Sequence, residues 1–323
     1  MIVVTGGAGF IGSVFVAKLN AEGRDDIIVV DDLGSSQKWR NLVNRRYVDF
    51  FHKSTFLEMV VSNRIHFPIE AIVHLGACSS TTERDAGYLM ENNYHYSSFL
   101  LDWALARRVR FIYASSAATY GDGSRSFSDE DAATQGLRPI NMYGYSKQLF
   151  DLRVLREGLQ DRVAGVKFFN VFGPNEYHKG DMTSVVFKAF DQIREMGKVR
   201  LFKSYKPEYG DGEQKRDFVY VKDCADVLWW LLCHSEANGI FNLGTGQART
   251  WNDLVSAVFA AMDRPSRIDY IEMPEALRGQ YQYFTEARME KLGAAGCPVA
   301  FSPLEEGVGD YVKNHLLKDD PHL

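Results

Sequence analysis

The chain alternates short, mostly apolar runs with longer stretches whose apolar residues recur at helical spacing. The runs fall at 2–5, 27–31, 71–75, 110–115 and 163–169, and such runs read as strands buried on both faces. Between the first two, Val14, Phe15, Ala17 and Leu19 mark one face of a helix. Strand and helix alternating in this way predict an α/β chain with a doubly wound parallel sheet. After Gly173-Pro174 the texture turns polar, and Ser204 to Lys215 predicts an exposed excursion. Apolar order returns at Phe218-Val219-Tyr220-Val221, in a helix around Ala225 to Leu232, and in a strand from Ile240 to Leu243. Trp229 and Trp230 of that helix are expected to pack in the core.

The first strand runs into Thr5-Gly6-Gly7-Ala8-Gly9-Phe10-Ile11-Gly12. By itself a glycine run can be a bare turn. Here it follows a buried strand and opens a helix, the context of a Rossmann dinucleotide-binding unit. Gly6 permits the turn, Gly9 lets backbone approach a pyrophosphate, and Gly12 lets the helix pack closely. Asp31, 19 residues past Gly12 at the end of the second strand, stands where a ribose-binding carboxylate belongs. The predicted division is therefore a Rossmann domain at 1–170 and 217–246, with a smaller α/β substrate lobe at 171–216 and 247–323.

Composition narrows the partners. With 46% hydrophobic residues in 323 and a net charge of −5, the chain can bury a large core and lacks the basic balance of a nucleic-acid or anionic-membrane binder. No apolar stretch approaches the roughly 18 residues of a membrane span, so a cytoplasmic protein is expected. Cys78, Cys224, Cys233 and Cys297 show no paired spacing for zinc or redox work, and no metal is expected.

Tyr143 and Lys147 are four apart, which on a helix puts their Cβ atoms about 6 Å apart on one face. They follow a strand ending in Ser115-Ser116-Ala117-Ala118-Thr119-Tyr120-Gly121. A phenol, an ammonium and the Ser116 hydroxyl at one sheet edge can move a proton to or from an alcohol or carbonyl, with the ammonium expected to lower the phenol's pKa. The competing reading is a surface Tyr and Lys beside a capping serine.

Together the Gly6/Gly9/Gly12 turn, Asp31, His74-Leu75-Gly76-Ala77, Ser116 four before Tyr120, the Tyr143/Lys147 pair and Arg216-Asp217-Phe218-Val219-Tyr220-Val221 resemble the extended short-chain dehydrogenase/reductase family of nucleotide-sugar epimerases and dehydratases. The resemblance covers nearly the whole chain and is most specific at Cys78 to Glu83. It implies NADP as cofactor, with NAD as the alternative. The cofactor residues it implies are Gly6, Gly9, Phe10, Ile11, Gly12, Asp31, Asp32, Lys38, Lys53, Leu75, Gly76, Ala77, Cys78, Ser79, Asn92, Lys147, Val171 and Lys179. Lys38 and Lys53 would meet a 2′-phosphate, whereas Asp32 stands where close relatives carry asparagine and Leu75 where the family often has glutamate. Asn93, beside Asn92, is either a nicotinamide-side residue or a surface polar one.

The resemblance further implies an ADP-heptose substrate epimerised at its exocyclic C6, as a step in lipopolysaccharide inner-core precursor synthesis. Tyr143 and Lys179 would be the proton sites on opposite sides, with Ser116 and Lys147 assisting; Lys179 could otherwise be a solvated loop lysine. Asn170, Asp181, Lys188, Phe202, Lys203, Ser204, Tyr205, Arg216 and Tyr281 are implied to hold the nucleotide sugar, Arg216 through its planar fork. A homo-oligomer, specifically a homopentamer, is implied as well. Two alternatives stay open: another epimerase such as a UDP-hexose 4-epimerase, and a non-catalytic NADP-binding scaffold.

Overall fold

A computed structural model of the protein describes residues 1–278 and 281–323. Its strands are β1 (Ile2–Thr5), β2 (Ile27–Asp31), β3 (Asp49–His52), β4 (Ala71–His74), β5 (Arg110–Ser116), β6 (Ala164–Phe168), β7 (Asn170–Phe172), β8 (Val199–Phe202), β9 (Lys215–Tyr220), β10 (Gly239–Leu243), β11 (Ala248–Thr250) and β12 (Ile268–Ile271). Seven of them form one sheet in the order β10-β6-β5-β4-β1-β2-β3, with every pair parallel. The order reverses between β1 and β4, and a crevice opens beyond the carboxyl ends of those strands.

Alternation along each strand explains why both faces are covered. Ile2, Val4, Ile27, Val29, Val73, Ile112 and Val166 face one core with the helices Phe10–Ala21 and Val221–Cys233. Val3, Ile28, Val30, Ile72, Phe111 and Tyr113 face the other, with the helices Tyr96–Arg107 and Met142–Arg156. Trp230 is buried in the first core and Trp229 packs against it. The short edge strand β3, Asp49-Phe50-Phe51-His52, has no alternation of its own and is defined by pairing with β2.

Two small sheets build the second part, one of order β11-β9-β7 and one pairing β12 with β8. The segment Phe218–Tyr220 pairs with Asn170–Phe172, outside the seven-stranded sheet. The chain returns to the Rossmann layers only with the helix beginning at Val221. Asp217 fixes this junction, because its carboxylate accepts from the backbone N–H groups of Thr245 (2.7 Å), Gly246 (3.0 Å) and Ala287 (2.9 Å).

Candidate active site

The glycine turn is close-packed as its sequence requires. Gly6 has φ +67°, and a Cβ there would come 2.6 Å from the Gly76 nitrogen. A Cβ on Gly12 would lie 2.1 Å from the Gly6 carbonyl oxygen, so the helix Phe10–Ala21 can sit on the turn only without one. That helix starts at Gly9 with no side-chain cap, leaving the amides of its first turn to an anion. The empty Cβ positions and uncapped amides fit a dinucleotide pyrophosphate.

Asp31 is buried, and its carboxylate is already engaged. One oxygen accepts from Ala8 N–H at 2.8 Å, and the other from Asp32 N–H at 2.7 Å and the Lys38 ammonium at 2.6 Å. Asp32 is half-exposed and lies 3.4 Å from Lys53. Partial burial raises its carboxyl pKa, but Lys53 and the Gly34 N–H outweigh this and hold it below the usual range. Lys53 also donates to Asn92 Oδ1 at 3.0 Å. These groups, with Leu33 to Ser36, Cys78, Ser80 and Tyr88, line a cleft of about 490 Å³.

A second cleft of about 480 Å³ adjoins it and shares Gly6, Asp31, Lys38, Gly76, Ala77, Ser79, His178 and Lys179. It is also lined by Gly9, Phe10, Ile11, Gly12, Leu75, Ser116, Tyr143, Lys147, Asn170 and Val171, and by Phe218 and Trp251. Glycine turn and Tyr/Lys helix therefore face one space. Leu75 packs against the core at the cleft wall.

Ser116 caps the turn Ala117–Tyr120: its Oγ accepts from Ala118 N–H at 3.1 Å, which leaves its own hydrogen to donate. Tyr143 follows the Asn141 cap of its helix by two residues. Lys147 is buried and donates to the Ala114 carbonyl at 2.8 Å. Burial lowers the Lys147 pKa to about 8, against the opposing pull of Asp151 and Cys78. The expected lowering of Tyr143 is not found. Crowding by protein raises its pKa, and a hydrogen bond with Ser116 only partly offsets this; the ammonium charge is directed to a strand carbonyl instead.

Lys179 stands on the turn Tyr177–Met182 with its ammonium 5.1 Å from the Phe10 ring centre. Burial lowers its pKa and Glu176 opposes this. Buried Glu176 holds the turn's flanks, accepting from the Ser184 hydroxyl at 2.7 Å and from its backbone N–H. His178 lies beside it; burial and the charges of Lys38 and Lys179 depress its pKa to about 4.

The remaining substrate candidates are dispersed. Exposed Lys188 donates to the Asp181 carbonyl at 2.6 Å. Phe202 ends β8, Lys203 pairs with Glu272 at 2.8 Å, Ser204 N–H donates to Asp211 at 2.7 Å, and Tyr205 O–H meets Glu272. None of these six lines the two clefts. Arg216 is buried between Trp251 and Tyr281, 5.7 and 5.4 Å from their ring centres. Its fork is partly spent, because it donates to the carbonyls of Lys215 and Gln282. Trp251, which donates to Tyr281 Oη at 2.9 Å, was not singled out by sequence; one tryptophan opening a helix gives no pattern.

A family model described as NAD dependent epimerase/dehydratase family matches residues 2–244. The chain belongs to this family. A protein of Nitratidesulfovibrio vulgaris named ADP-L-glycero-D-manno-heptose-6-epimerase is 61% identical over 323 residues, covering 100% of both chains. One of the same name from Fusobacterium nucleatum is 48% identical, again over 100% of both. Among solved structures, the Helicobacter pylori ADP-L-glycero-D-manno-heptose-6-epimerase superposes with a TM-score of 0.82 at 28% identity, covering 97% of this chain and 95% of that one. The Thermus thermophilus UDP-glucose 4-epimerase, solved with NAD, has a TM-score of 0.74 at 26% identity over 96% and 97%. Membership in the epimerase/dehydratase family makes a nicotinamide dinucleotide the cofactor. Among the described residues no helix is long and apolar enough to cross a membrane, and no group of three or more metal-ligating side chains gathers.

Proposed function

We propose that this protein converts ADP-D-glycero-D-manno-heptose to ADP-L-glycero-D-manno-heptose by transient oxidation at the exocyclic C6. The observation that carries the reading is one cleft lined by the glycine turn, Ser116, Tyr143, Lys147 and Lys179. The names of full-length relatives at 61% and 48% identity supply the substrate. A bound nicotinamide supplies a reversible hydride acceptor. The chain's own groups do the rest. Ser116 donates to the C6 oxygen, and Tyr143 takes or returns its proton on one side. Lys179, lowered by burial, serves the opposite side after rotation about C5–C6. Because C6 lies outside the ring, the sugar need not turn over.

NADP is the dinucleotide this reading favours. Lys38 and Lys53 flank the cleft that would take the adenosine end, and Lys38 offsets the Asp31 charge. The Rossmann part would hold the dinucleotide and the smaller lobe the nucleotide sugar. A homo-oligomer, a pentamer, belongs to the same reading and is counted by light scattering.

The test is to denature purified protein, identify the released dinucleotide, and follow C6 stereochemistry by NMR after adding the D-glycero substrate. Conversion to the L-glycero epimer is expected. Turnover of UDP-galactose with none of the ADP-heptose would instead favour a UDP-hexose 4-epimerase.

A further inference from the structure

Behind the cleft lies a buried ion pair that the chemistry above does not use. Asp151 is one helical turn beyond Lys147, Lys167 is the last residue but one of β6, and both are fully buried, 2.6 Å apart. Their other polar valences are filled from within. Asp151 accepts from Tyr113 Oη at 3.0 Å and Ser115 Oγ at 2.7 Å. Lys167 also donates to Thr119 Oγ1 at 2.8 Å and lies 5.3 Å from the Tyr120 ring centre.

As packing, this arrangement is a poor choice, since an apolar pair of similar volume commonly holds a core at least as well. What the pair touches is more informative. Tyr113 and Ser115 bind Asp151, and Ala114 between them binds Lys147. Three consecutive residues at the end of β5 are thus bound to one face of the helix carrying Tyr143. Ser116 is the next residue, and Thr119, held by Lys167, lies in the turn that Ser116 caps.

We propose that Asp151 and Lys167 are positioning residues that fix Ser116 relative to Tyr143 and Lys147. The proposal rests on reading Ser116, Tyr143 and Lys147 as the reacting groups. The titratable groups around Lys147 are Asp151 and Tyr143 on its own helix, His74 at the end of β4, and Cys78 in the loop beyond. Asp151 and Cys78 favour the ammonium while burial opposes it. His74 is held neutral by burial and by Lys147 itself. Lys167 is paired with Asp151.

The deciding variant is Asp151→Asn/Lys167→Met, which removes both charges and leaves neither unpaired. Expected are a melting temperature no lower than wild type, a kcat reduced on the order of tenfold, a nearly unchanged KM, and an alkaline limb of kcat moved to lower pH. Wild-type kcat together with an unmoved limb would overturn the proposal. Should the double variant fail to fold, Ser115→Ala decides, because it removes a bond to Asp151 without stranding a charge. A severalfold drop in kcat supports the pair, and an unchanged kcat sinks it. If wild type does not turn over the ADP-heptose, the functional reading fails separately. The Lys147 titration, followed by 15N NMR of its ammonium, then decides the pair: a lower midpoint in the double variant supports it and an equal one refutes it.

Discussion

The ammonium of Lys38 closes on the Asp31 carboxylate at 2.6 Å, at the mouth of the glycine turn. The carboxylate that would repel a 2′-phosphate is thereby neutralised, and the remaining negative charge at the cleft is Asp32, itself 3.4 Å from Lys53. Replacing Asp32 with Asn removes that charge and releases Lys53. Asp32→Asn is expected to raise the affinity for NADP relative to NAD several-fold, read by titrating each dinucleotide into cofactor-stripped protein. An unchanged ratio would mean that Lys53 does not meet the phosphate.

Tyr143→Phe removes one hydroxyl from a residue whose helix is otherwise well anchored. Turnover should fall by on the order of 100-fold or more, the usual range for lost acid–base help, with the bound dinucleotide retained. Full activity in this variant would favour a non-catalytic scaffold. Lys179→Met should be comparably slow while leaving melting nearly unchanged, because a Met side chain keeps the apolar contact with the Phe10 ring that the Lys179 side chain makes.

Acid should destabilise the protein through its buried histidines. Burial lowers His74 from 6.5 to about 3, and His178 from 6.5 to about 4. Both are neutral in the folded chain, whereas the unfolded chain takes up protons as pH falls below 6.5. Their contribution is therefore complete above pH 6.5 and is lost as pH drops toward the folded values. Each should cost on the order of 2 kcal/mol at pH 5 relative to pH 7, measured as a shift in the urea midpoint. At the other end, activity should decline above pH about 8, where Lys147 loses its proton.

Gly12→Ala tests the close packing of the first turn. Its Cβ would meet the Gly6 carbonyl oxygen at 2.1 Å, and both are backbone-bound. A destabilisation of about 1–3 kcal/mol and loss of co-purifying dinucleotide are expected, checked by thermal melting and by assay of the released cofactor. A variant that still carries cofactor at full occupancy would show that the turn can shift.

Much of this architecture was legible because parallel strands buried on both faces must be continuously apolar. The runs at 2–5, 27–31 and 71–75 correspond closely to β1, β2 and β4, and the Tyr143/Lys147 spacing was readable because helical periodicity is local. Asp49–His52 was not readable, since an edge strand owes its form to its neighbour. Nor was the membership of Lys215–Tyr220 in the small sheet, which depends on a partner strand, Asn170–Phe172, far earlier in the chain. The Asp151/Lys167 pair left one trace, a lysine inside the apolar run 163–169.

The sequence alone determined the glycine turn, the α/β alternation and the candidate proton-transfer residues, because each depends on spacing within a few residues. Tertiary structure decided which charges those groups see. It turned the Lys147 ammonium toward Ala114, raised Tyr143 by burial, and set Lys38 against Asp31. Desolvation and pairing depend on atoms that the fold brings together from distant segments, and no local pattern encodes them.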